Sequence, residues 1–146
     1  MFFAACAFGE DETLLSLGID QVHAAQPFQI LYSEEDRKFI EETAAVLNKS
    51  LDEYAAHLPA GDEPITIIIC PNYRAFVRLA GIYGRPSITG IARSEEGLII
   101  IKSPRELVKP MAYQDTLRHE VIHVLLARNV NIAELPRWLN EGIAMV

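Results

Sequence analysis

The sequence predicts an α+β fold, a small mixed sheet with a hairpin, covered by helices. Three observations predict it. Short runs rich in Ile, Phe, Tyr and Thr at 28–32, 65–70, 89–93 and 98–102 read as strands. Apolar residues recur at three- and four-residue steps over 33–58 and again from 110 onward. The order is strand, helix, strand, helix, hairpin, helix, helix, with no internal repeat and no low-complexity linker.

The bulk properties set the frame for these elements. A chain of 146 residues, half of them hydrophobic, is long enough for one domain with a real core. That domain is expected over 27–146, after a poorly defined segment at 1–26. The formal charge of −7 and the lack of any basic run argue against a nucleic-acid surface. No apolar stretch approaches the roughly eighteen residues that span a bilayer. Two cysteines, Cys6 and Cys70, make no disulfide framework and have no metal-ligand spacing. Cys70 ends an apolar run and reads as a small core residue. The apolar start, Met1 to Gly9, has no basic leader, so the protein is expected in the cytoplasm as written. If the true start lies upstream, it is expected in the cell envelope or outside the cell. The sequence sets no oligomeric state.

Each element has a local reason. A short helix is expected around 13–17. After the strand at 28–32, Ser33 with Asp36 forms a loose capping pair, and Glu34, Glu35 and Asp36 complement the positive end of a helix. Ile40, Ala44, Leu47, Leu51, Tyr54 and Leu58 form its apolar stripe, and Pro59 and Gly61 end it. The continuous apolar run at 65–70 is a strand buried on both faces. Pro71 and Asn72 turn into a short helix at 73–79, and 81–87 is a Gly- and Pro-containing loop. Ser94-Glu95-Glu96-Gly97 joins two β runs as a hairpin. Ser103-Pro104-Arg105-Glu106 is a capping box that opens a brief turn. Pro110 then starts a long helix.

That helix carries His119-Glu120-Val121-Ile122-His123. Histidines four apart share one helix face, a spacing that suits two imidazoles on one zinc ion with a carboxylate beside its water. With 4 histidines in 146 residues, the bare pattern arises by accident about once in a hundred such chains, so context must decide. Leu117, Val121, Val124 and Leu125 lie on the far side of the helix, and Ile122 and Leu126 flank it. The helix is therefore central, and an ionisable cluster on a central helix is costly unless a cation satisfies it. A catalytic zinc wants three protein ligands and one open position. Past His123, only Glu134 and Glu141 can supply the third. Glu134 sits in a polar connection. Glu141 is a single acidic residue on a second, apolar helix opened by Pro136, with Gly142 expected to allow close approach. His23 and His57 have no such partners.

The block His119 to His123, then Trp138-Leu139-Asn140-Glu141-Gly142-Ile143-Ala144, resembles the gluzincin metallopeptidases, in particular the peptidase-MA-like branch of the thermolysin clan. The resemblance covers roughly residues 85–146. It implies a zincin-like active-site subdomain, with one zinc ion held by His119, His123 and Glu141 and with Glu120 as general base. It also implies a peptide or protein substrate extended along an edge strand, at Thr89, Gly90 and Ile91. Two departures stand out. Where the best-known members place an aspartate one turn after the glutamate ligand, this chain has Met145. The chain also stops five residues after Glu141, before the lobe that usually stabilises the reaction intermediate. Ending inside a helix favours a fragment of a longer reading frame over a minimal form. Tyr83, Tyr113 and Arg137 are the nearest substitutes for the missing donor. The competing readings are a zinc- or partner-binding module without turnover, and a metal-free domain with buried histidines.

Overall fold

The computed structural model describes residues 11–145, so Cys6, the apolar start and Val146 lie outside the described residues. Among the described residues ten α-helices and strands follow one another. They are α1 (Glu12–Ser16), β1 (Gln21–Ala25), β2 (Phe28–Tyr32), α2 (Ile40–Tyr54), β3 (Ile65–Cys70), α3 (Tyr73–Ala80), β4 (Gly90–Arg93), β5 (Leu98–Lys102), α4 (Pro110–Asn129) and α5 (Arg137–Met145). The strands form one five-stranded mixed sheet in the order β1-β2-β3-β5-β4. The inner pairs β2–β3 and β3–β5 are parallel, and the outer pairs β1–β2 and β5–β4 are antiparallel. The fold class is the α+β arrangement expected, a sheet flanked by helices.

Burial explains why the inner strands read as unbroken apolar runs. Ile65, Ile67 and Ile69 face α2 and α4, where they meet Leu47, Leu117, Val121 and Val124. Ile68 and Cys70 face the other way, onto Leu14, Ala75 and Phe76 of α1 and α3. A parallel strand covered on both sides has no polar face to alternate with. Burial, followed by the charge of Asp36, pushes the Cys70 thiol up to about 12, as suits an inert core residue.

Strand β1 is not announced by the sequence. It is a half-buried edge strand with an Ala-rich sequence of weak β preference, so neither run length nor residue type marks it. The segment before α2 also differs from expectation. Residues Glu34–Phe39 form a 3₁₀ helix, and the Ser33 side chain makes no capping bond. Asp36 does not wait at a helix end for solvent. It is fully buried, accepting from Ser103 Oγ at 2.5 Å and from Arg105 Nε at 2.8 Å. Ser103 Oγ also accepts the Arg105 backbone N–H, while the Ser103 N–H donates to the Cys70 carbonyl, so the serine cap forms without the reciprocal half of the expected capping box.

Helix α4 is central. Tyr113, Leu117, Val121, Val124 and Leu125 enter the main core, while Ile122 and Leu126 meet Ala144 and Ile143 of α5. At its C-terminal end, Arg128 donates to the carbonyls of Ala60, Glu63 and Pro64 and holds the loop before β3. No helix among the described residues is long and apolar enough to cross a membrane.

Candidate metal centre

One face of α4 is left outside both apolar contacts, and it carries His119, Glu120 and His123. The apolar sides of α4 pack on the sheet, α2 and α5, and this face opens at the rim between β4 and α5. His119 Nε2 and His123 Nε2 lie 3.1 Å apart, with ring centroids 4.6 Å apart. The Glu141 carboxylate arrives from α5, its Oε2 3.5 Å from His119 Nε2 and its Oε1 3.6 Å from His123 Nε2. Together the three residues offer ligand atoms that all lie within 4.8 Å of one another. Glu134 ends a short 3₁₀ turn and takes no part, so Glu141 is the acidic residue brought to the pair.

These separations can be tested against a metal. Donors at about 2.0–2.1 Å from a tetrahedral zinc are about 3.3–3.4 Å from each other. The 3.1 Å between the two Nε2 atoms lies close to that value, and each Glu141 oxygen stands near one imidazole, Oε2 at 3.5 Å from His119 and Oε1 at 3.6 Å from His123. The chemistry of the donors agrees. His123 Nδ1 donates to Asn140 Oδ1 at 3.1 Å, which leaves its Nε2 as a lone pair turned toward the other donors. The Ala144 backbone lies against the His119 ring and favours its protonated form. Two imidazoles and a carboxylate, converged with the outer nitrogen of His123 already occupied, fit a divalent cation of the zinc type.

Electrostatics point the same way. His119 is held below its usual range, first by desolvation and then by the neighbouring His123. An imidazole that resists protonation keeps its lone pair available. Glu120 is 8 % exposed, and burial followed by the charge of Glu141 pushes its carboxyl up to about 8. A carboxyl with that affinity for a proton can exchange one near neutral pH.

The centre opens into a groove of about 430 Å³. Ser87, Ile88, Thr89 and Gly90 form one wall, and Asp115, Thr116, His119 and Glu120 form the other. The first wall leads into β4, an edge strand of the sheet. A Cβ on Gly90 would come within 3.0 Å of Thr116 Cγ2, so the strand backbone closes tightly on α4 there.

The other expected site residues fall out differently. Thr89 and Gly90 line the groove, but the Ile91 side chain packs against the layer on the far side of the sheet. Tyr113 is not brought to the site. It is 2 % exposed, and its hydroxyl shares a 2.7 Å hydrogen bond with Thr43. It belongs to the stripe 113, 117, 121 that faces the sheet, a spacing visible in the sequence. Tyr83 lines a separate cavity with Tyr73 and Arg78. Arg137 is exposed at the first turn of α5. Gly142 faces open space, with nothing within 4 Å of where a Cβ would stand, so it is not what lets the helices approach. That contact is made by Ala144. Met145 is 76 % exposed, so it takes no part at the centre. Sequence reasoning misses Asn140, although its position next to Glu141 is a usable signal.

No protein-family model, curated protein or solved structure matches this chain. What stands is the arrangement itself, a His119, His123 and Glu141 cluster of the zincin metal-binding type with Glu120 beside it.

Proposed function

We propose that this protein is a zinc-dependent metallopeptidase of the gluzincin type. The observation that carries the proposal is the convergence of two imidazoles and one carboxylate, with ligand atoms within 4.8 Å of one another, beside a buried glutamate and an open groove. His119 and His123 would hold the ion through Nε2, and Glu141 through its carboxylate. Zinc, when bound, supplies a water of lowered pKa, polarises the scissile carbonyl and favours the ionised form of Glu120. Glu120 would take the water's proton on a carboxylate oxygen and pass it to the leaving amine nitrogen. Burial of Glu120 keeps competing solvent away from that oxygen. A peptide substrate would extend beside β4, pairing its backbone with the edge at Thr89, Gly90 and Ile91. Arg137, exposed on α5, is the remaining candidate to steady the negative intermediate.

The test uses zinc-loaded protein and a diverse peptide mixture. Wild type is expected to retain one zinc per chain and cleave peptides. Glu120→Gln is expected to keep the zinc and lose hydrolysis by at least about a hundredfold. His119→Ala is expected to lose the metal. Full peptidase activity in Glu120→Gln would falsify the base assignment, and wild type without bound zinc would remove the whole reading.

A further inference from the structure

The groove beside the centre has a marked charge character. Its ionisable side chains are His119 and two acids, Asp115 and Glu120, and no lysine or arginine lines it. Of the cations around it three are engaged elsewhere, while Arg137 is exposed on α5 and Lys49 lines a second pocket that Asp115 also borders. Arg118 pairs with Glu53, Arg93 donates to the Leu79 carbonyl, and Lys102 donates to the Pro86 carbonyl while lying over the Tyr73 and Phe76 rings. Asp115 has no ion pair or hydrogen bond among the described residues, and its side chain is exposed to the groove. It stands four positions before His119, about 6 Å along the helix axis. A strand-like peptide advances about 3.3 Å per residue, so that offset covers about two residues.

We propose that the groove selects peptides carrying a lysine or arginine within two residues of the cleaved bond, with Asp115 as the residue that receives the cation. This rests on the peptidase reading of the adjoining centre. The far wall, Ser87 to Gly90, contributes only uncharged side chains, so nothing on it repels a long basic side chain that reaches across. An acidic substrate side chain in the same place would meet the Asp115 carboxylate in a groove that no lysine or arginine lines.

The experiment uses the full chain loaded with zinc. A single lysine is moved along an otherwise uncharged peptide, with norleucine in the same position as control. Cleavage is followed with wild type, and equilibrium binding is followed by fluorescence anisotropy with Glu120→Gln. Lysine at its best position is expected to be favoured about tenfold over norleucine in both kcat/KM and Kd, a difference of about 1.4 kcal/mol. Asp115→Asn is expected to bring both ratios within about twofold, and Asp115→Ser provides a second variant of the same kind. Mere structural damage would slow both peptides together and leave the ratio intact. Ratios near one in wild type, or ratios untouched by both substitutions, overturn the inference while cleavage itself leaves the peptidase reading standing. A lysine preference in binding without any cleavage does the reverse: it sustains the cation seat and removes the peptidase reading.

Discussion

His123 is committed to its task by a neighbour outside the donor set. The Asn140 carbonyl oxygen takes the Nδ1 proton at 3.1 Å, and so decides which nitrogen faces the other donors. Asn140→Ala is therefore expected to weaken zinc binding about ten- to hundredfold, read by competition with a chelating dye, without loss of helix content. Glu120 makes a second prediction in the metal-free protein. Its folded pKa of about 8 lies above the usual carboxyl value. The folded state therefore holds a proton that the unfolded chain releases, and stability drains away as pH rises from about 4.5 through 8. Glu120→Gln carries no such proton. Its Tm advantage over wild type is expected to grow by about 3 °C or more between pH 5 and pH 8, measured with chelator present. His119, held below its usual value, biases both proteins in the opposite sense and cancels in the comparison. At this scale the sequence is half legible. The pairing of His119 with His123 follows from helix geometry alone, because positions four apart share a face. The roles of Asn140 and the Ala144 backbone depend on how one helix is rotated against another, which no local spacing encodes.

Strands and helices are more legible than the joints between them. The runs at 28–32 and 65–70 become β2 and β3 with the bounds expected, because a strand covered on both faces must be apolar throughout. The joints are where buried polar groups settle. Asp36 looks in the sequence like a helix-end charge, and it proves to tie the start of α2 to the end of β5 through Ser103 and Arg105. Arg105→Met would leave that carboxylate buried with one partner fewer. A loss of about 3 kcal/mol is expected in urea unfolding, with zinc content per folded chain unchanged. The β4–β5 hairpin offers a second case. Gly97 sits at φ +64°, and a Cβ there would come 2.6 Å from the Arg128 guanidinium. Gly97→Ala is expected to cost about 1–2 kcal/mol, from backbone strain and from disturbing the Arg128 bonds to the loop before β3.

Across the whole molecule, the sheet and four helices share two cores, one on each face, while α5 is joined mainly through Ala144, Ile143 and the centre itself. The donors come from both sides of that joint, two from α4 and one from α5. A ligand bound only by the folded state stabilises it by mass action, about 2.7 kcal/mol at a hundred times Kd. Removing zinc with a chelator is thus expected to lower Tm and to raise amide exchange in α5 before it rises in β3 or α4, followed by mass spectrometry. The division of donors has a consequence for how the site assembles. Until α5 docks, the two imidazoles of α4 can offer only a bidentate, loosely held station for an ion. Tight capture must wait for the last helix to seat, and metal uptake in a refolding experiment should keep time with that final docking rather than with collapse of the sheet.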